Sequence, residues 1–150
     1  MIEFLDLPDP PCFLDIESVK LEKNDWTGNK EKYGLYDCEN ELTNFLKYLF
    51  PECTSFRYQL IQPNMPKHVD VDRTILYNYI LQAGGSNVET VWWDGDNELY
   101  RTCLPEKKWH KFNAGIEHSI ENIETERLAI TVFKKEPGAG YWYWENRNTM

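Results

Sequence analysis

Arg127-Leu128-Ala129-Ile130-Thr131-Val132-Phe133 is a run of β-branched and apolar residues opened by one arginine. In an extended strand alternate side chains share a face, so Arg127, Ala129, Thr131 and Phe133 line one side and Leu128, Ile130 and Val132 the other. This is the pattern of a strand in a β core with one arginine on it. Working back along the chain, further β-like runs occupy Ser55 to Ile61, Arg73 to Leu81, Val88 to Trp93 and a stretch around Trp109 to Phe112. Gly84-Gly85-Ser86 and Asp94-Gly95-Asp96-Asn97 are expected to be hairpin turns. Short strands at such spacing predict a mainly β sandwich, and a jelly roll is the form that holds a site between its sheets.

One helix is expected, from Asp37 to Phe50, where Leu42, Phe45, Leu46 and Leu49 recur at helical spacing, acidic Glu39 and Glu41 lie near the start, and Pro51 closes the segment. The first 36 residues, broken by Pro8-Asp9-Pro10-Pro11 and Thr27-Gly28-Asn29, are expected to form short strands or irregular cover. From Glu136 a tail carries Tyr141-Trp142-Tyr143-Trp144, an aromatic block expected to fold back on the domain, to meet a partner, or to cover a substrate. The 150 residues read as one domain, residues 1–150, with a core of about 54–135.

The composition is that of a folding chain, 41% hydrophobic and 15% aromatic. A net charge of −9 with no basic stripe argues against a nucleic-acid partner, because such a surface repels phosphates. Cys12, Cys38, Cys53 and Cys103 form no Cys-x-x-Cys pair, so cysteine zinc sites and redox motifs are not legible. The start, Met1-Ile2-Glu3-Phe4-Leu5-Asp6, is acidic where a secretory leader is basic, and no apolar run reaches membrane length. The expectation is a cytoplasmic protein with free thiols and no membrane partner.

The chemistry-bearing residues are His68-Val69-Asp70 and, further on, His118 followed nine positions later (127 − 118) by Arg127. On a strand, residues two apart point the same way, so His68 and Asp70 are expected to face one ion together. A histidine and a carboxylate two apart, completed by a distant histidine, make the 2-His-1-carboxylate set that holds non-heme Fe(II) with open positions. The approach, Ile61-Gln62-Pro63-Asn64-Met65-Pro66-Lys67, combines a turn with extended geometry before Pro66. His110 is a competing distal ligand, but it lies 17 positions before Arg127 (127 − 110). Asp72 reads as a solvated or supporting carboxylate. By strand parity Asn78 faces the same interior and Arg73 the outside; Tyr58 and Tyr77 are candidates for the pocket wall.

From Phe56 to Phe133 the chain resembles the iron and 2-oxoglutarate-dependent oxygenase superfamily. It is similar in particular to small members like the prolyl hydroxylases and the aspartyl/asparaginyl hydroxylases. The resemblance rests on His68-Val69-Asp70, the His118-Ser119-Ile120-Glu121-Asn122 run and Arg127 opening the last apolar strand. It implies a double-stranded β-helix with one N-terminal flanking helix, His68, Asp70 and His118 as ligands of Fe(II), and Arg127, with Asn78 as a further candidate, on the cosubstrate 2-oxoglutarate. O2 would be the second cosubstrate, and the reaction hydroxylation of a C–H bond of a protein side chain or small molecule with release of succinate and CO2. The chain departs from the family at Asn64, where a glycine is usual, and at Ala129, where a serine or threonine is common. A cupin-like metal protein without 2-oxoglutarate and a non-catalytic jelly roll used for interaction are the alternative readings.

Overall fold

The computed structural model of the protein describes residues 2–21, 33–62, 65–70 and 72–136. The aromatic block at 141–144, the Thr27-Gly28-Asn29 break and Pro63-Asn64 lie outside these residues.

Ten strands and two helices follow in the order β1 (Ile2–Phe4), α1 (Ile16–Leu21), β2 (Tyr33–Asp37), α2 (Asn40–Leu49), β3 (Ser55–Ile61), β4 (Met65–His68), β5 (Ile75–Gln82), β6 (Glu89–Asp94), β7 (Asn97–Cys103), β8 (Trp109–Asn113), β9 (His118–Glu121) and β10 (Arg127–Phe133) among the described residues. From β3 onward the strands alternate, apart from the β6–β7 pair, between two antiparallel sheets, one ordered β1-β8-β5-β10-β3-β2 and the other β4-β9-β6-β7. That alternation is the double-stranded β-helix, and it leaves a space between the sheets that both can line.

The periodicity of β10 sorts its side chains as the sequence requires. Leu128, Ile130 and Val132 join Leu42, Leu46 and Trp109 in the main core beneath the helices. On the opposite face, Phe133 joins Leu76, Trp92 and Phe112 between the sheets, and Ala129 joins Ile80 and Leu104. Paired to β3 on one side and β5 on the other, β10 is buried along its whole length. Truncating Ile130, which has no exposed surface, to alanine would cost about 2–5 kcal/mol.

α2 is the expected helix, three residues shorter at its start, because β2 runs to Asp37, and one shorter at its end. α1 corrects the expectation of strands or irregular cover in the first 36 residues. It is a short helix whose Ser18 N–H is capped by Asp15 Oδ1 at 2.8 Å, and its Val19 is sealed in the core. β7 is an exposed edge strand, its Leu99 and Tyr100 in solvent, so it carries no buried alternation to read. The Asp94-Gly95-Asp96-Asn97 hairpin forms between β6 and β7, with Gly95 at φ +61.

Gly84-Gly85-Ser86 is a crossing between sheets and not a hairpin, since β5 and β6 lie in different sheets. Gly84 has φ +93, and its carbonyl accepts the N–H groups of Glu124 and Thr125 at 2.8 and 2.9 Å. A Cβ there would lie 3.0 Å from the Glu126 carbonyl carbon and 3.2 Å from the Arg127 nitrogen. Gly84→Ala is therefore expected to cost about 1–3 kcal/mol and to shift the start of β10. Thermal melting would report the first effect. A weakened response to any anion bound by Arg127 would report the second.

Candidate metal centre

β4 ends at His68 and β9 begins at His118, and the two residues are register partners in one ladder. Their ring centroids lie 4.3 Å apart. After His68 the chain leaves the strand, and the Asp70 N–H donates to the Ala114 carbonyl at 3.0 Å. This turn brings Asp70 Oδ1 to 3.5 Å from His68 Nε2. One ligand atom from each of His68, Asp70 and His118 lies within 4.8 Å of the other two.

The remaining ring nitrogens are already committed. His68 Nδ1 is 2.7 Å from the Pro66 carbonyl, and His118 Nδ1 is 2.7 Å from the Ile116 carbonyl. A carbonyl can only accept, so the neutral rings carry their protons on Nδ1 and leave the Nε2 lone pairs free. Two imidazoles fixed in this tautomer and one carboxylate form a donor set that suits a divalent metal with open positions, as in non-heme Fe(II) sites.

Charge divides the three residues. Burial disfavours the His68 imidazolium, yet the hydrogen bond and charge of Asp70 outweigh it and lift its pKa above the ordinary value. Burial works the other way on Asp70, but His68, His118 and Arg73 together hold its carboxyl below the usual range. His118 is pushed down to about 4, first by burial. A metal must displace the proton that the His68–Asp70 pair retains, so affinity should rise with pH through the raised pKa of His68.

The centre lies between two cavities. An open cleft of about 1040 Å³ is bounded by β2, α2, β3, β4, the segment after His68 and the end of β10. A narrow inner cavity is lined by Ile61, Leu76, Asn78, Thr90, Leu104 and Arg127, among others. Gln59, Met65, His68 and Asp70 line both. Arg127 is 5% exposed and has no hydrogen-bond or ion-pair partner among the described residues. Burial pulls its pKa down to about 10. Asn78 Oδ1 and Thr90 Oγ1 are likewise buried without partners. A buried guanidinium without an anion among the described residues, with the unpaired Thr90 hydroxyl lining the same cavity, is the complement of a carboxylate. The cavity is about 20 Å³, so a dicarboxylate bound at Arg127 would need its lining to open.

The expectation that His68 and Asp70 project from one strand is corrected: the strand stops at His68, and a loop held by Ala114 places Asp70. The parity argument for Asn78 also fails, because β4 and β5 belong to different sheets; Asn78 reaches the inner cavity from the opposite side. Arg73, expected outside, is 8% exposed and faces the cleft, with Asp72 paired to its Nε at 2.8 Å. Tyr58 and Tyr77 belong to the core on the helical side. The Tyr58 hydroxyl donates to Glu39. His110 is not part of the triad; its ring packs against Phe4 and Phe112. Gln59 and Thr90 were not singled out by the sequence. The Ser55-Arg57-Gln59 face of β3 was a signal, a polar stripe turned toward the cleft.

No family model and no curated protein matches the sequence. Among solved structures, an oxidoreductase of the 2OG-Fe(II) oxygenase family from Burkholderia pseudomallei superposes with a TM-score of 0.54 at 8% identity, over 77% of this chain and 69% of that one. A Pseudomonas putida prolyl-4-hydroxylase gives 0.50 at 15% identity, over 81% and 77%. The chain has the fold of the 2OG-Fe(II) oxygenases. On this fold the His68–Asp70–His118 group, from β4, the segment after it and β9, and Arg127, at the start of β10, all line the inner cavity. No described helix is long and apolar enough to cross a membrane.

The buried histidines of this oxygenase fold make its stability acid-sensitive. His110 and His118 are both lowered to about 4, chiefly by burial, with Arg127 adding to the effect at His110. In the unfolded chain they regain ordinary values near 6.5. Because the unfolded state then binds more protons, the contribution of these two histidines to stability is full above pH 6.5 and is lost as pH drops toward about 4. Each histidine contributes a loss of about 3 kcal/mol across that window. His110→Phe should flatten the metal-free melting profile between these pH values. An unchanged profile would show that His110 is not buried in neutral form.

Proposed function

We propose that the protein is an Fe(II)- and 2-oxoglutarate-dependent dioxygenase that hydroxylates a C–H bond of a protein side chain or a small molecule. The observation that supports this most is the pairing, across one inner cavity, of the His68–Asp70–His118 donor set with a buried Arg127 that has no counter-charge among the described residues. A cupin-like centre that used no 2-oxo acid would have the same ligands and no need for that arginine.

Fe(II) at the triad would supply O2 activation, with 2-oxoglutarate oxidised to succinate and CO2 and one oxygen atom delivered to the substrate. The residues do the rest. His68, Asp70 and His118 hold the metal from one side, Arg127 binds the distal carboxylate of the cosubstrate, and the Thr90 hydroxyl and the Asn78 amide N–H can donate hydrogen bonds to it. The buried walls around Leu76, Leu104 and Phe112 keep water from that end.

An anaerobic titration tests the reading. Adding Fe(II) and then 2-oxoglutarate to the folded protein should produce a weak visible charge-transfer band, and its absence would overturn the assignment.

A further inference from the structure

The proposed oxygenase uses one buried arginine, and the molecule has a second on the other side of the triad. Arg73 lines the outer cleft and not the inner cavity, whereas Arg127 lines the inner cavity and not the cleft. The Arg73 guanidinium carbon lies 3.6 Å from the centroid of the Phe133 ring, and its Nε donates to Asp72 Oδ1 at 2.8 Å. Held on its face and at its inner nitrogen, it has two terminal nitrogens with no hydrogen-bond partner among the described residues. A fork so fixed matches a carboxylate. Arg73, His68 and Asp70 line the same cleft, so a group on the fork shares that cleft with the candidate metal centre.

The charges of the cleft point the same way. Its acids are used within the protein: Asp70 in the triad, Asp72 on Arg73, and Asp37 on Arg57 at 3.2 Å. Lys47 and Lys135, which also line it, have no acidic partner among the described residues. On a chain of net charge −9 the cleft beside the metal is locally positive, which favours anions there.

We propose that Arg73 anchors a carboxylate of the substrate, so that the molecule oxidised is an acid held in the outer cleft with its target C–H bond over the metal centre. This rests on the oxygenase reading, in which Arg127 already accounts for the cosubstrate. The carboxylate is that of a free acid or of an acidic side chain in a peptide.

The test uses the full chain with anaerobic Fe(II) and saturating 2-oxoglutarate, titrated calorimetrically. The probes are acetate, L-glutamate and N-acetyl-Gly-Glu-Gly-amide, each beside its amide counterpart. At least one carboxylate is expected to bind about tenfold or more tightly than its amide, and the free and peptide probes distinguish the two sources. Arg73→Lys, which keeps the charge over Phe133 but loses the fork, should erase most of that preference. Arg73→Gln should abolish it, with 2-oxoglutarate affinity unchanged in both variants. Melting curves identify a variant that fails to fold, in which case the lysine variant decides. If no carboxylate outbinds its amide while 2-oxoglutarate binds normally, the inference is overturned and the oxygenase reading stands. Loss of 2-oxoglutarate binding on Arg73→Lys would also overturn it, by making Arg73 a cosubstrate residue. Failure of the wild type to bind 2-oxoglutarate, with the Arg73-dependent preference intact, would sink only the oxygenase reading.

Discussion

Replacing His118 by alanine is expected to abolish the Fe(II) and 2-oxoglutarate charge-transfer band and to lower metal affinity by more than the roughly 100-fold that even supporting residues can contribute. The ring is buried, its Nδ1–H is fixed on the Ile116 carbonyl, and it is neutral at any pH at which the protein folds well. It is therefore a preformed donor that costs no proton to engage. His68 differs, since its proton is retained by Asp70, and His68→Ala should remove the pH dependence of binding along with the affinity. His110→Ala is the control: the residue is equally buried but lies outside the triad, so metal affinity should hold while stability falls. Metal binding that survives His118→Ala would place the centre elsewhere.

Arg127→Met should separate function from stability. In the ligand-free protein the guanidinium is buried without an anion among the described residues, which is a cost to the fold. Methionine fills similar space without that cost, so the melting temperature of the variant should equal or exceed that of the wild type. Affinity for 2-oxoglutarate should fall by about 2–5 kcal/mol, the usual consequence of removing one member of a buried charge pair. In thermal melts, 2-oxoglutarate at about 100 times its Kd stabilises the wild type by about 2.7 kcal/mol and should leave the variant unmoved. A variant that melts lower and still responds to the ligand would mean that Arg127 is a structural residue.

β3, whose burial alternates as far as Leu60, and β10, apolar after Arg127 and buried throughout, were legible to the residue because both lie between neighbouring strands inside a sheet. β7 was not, because a solvated edge strand has no inward face to mark it. α1 escaped because a single capped turn and a half leaves no periodicity to read. At the centre, His68, Asp70 and His118 were named from spacing, but the strand geometry invoked for Asp70 was wrong; a backbone hydrogen bond to Ala114, invisible in sequence, does the positioning. Arg73 was misplaced for the same reason: parity cannot be counted through a break between two sheets. Thr90 could not have been found without knowing that β6 faces β5 across the sandwich, since a threonine among valine and tryptophan is ordinary strand composition.

Gln59 and Met65 line both cavities, and this shared wall sets traffic rules for the proposed reaction. In the proposed reaction a cosubstrate entering through the cleft would pass the triad and this wall to reach Arg127, whereas an acid on Arg73 would go no further than the cleft. An acid that arrives first therefore stands in the doorway. Excess substrate should slow turnover by delaying 2-oxoglutarate entry, and raising 2-oxoglutarate should relieve the slowing.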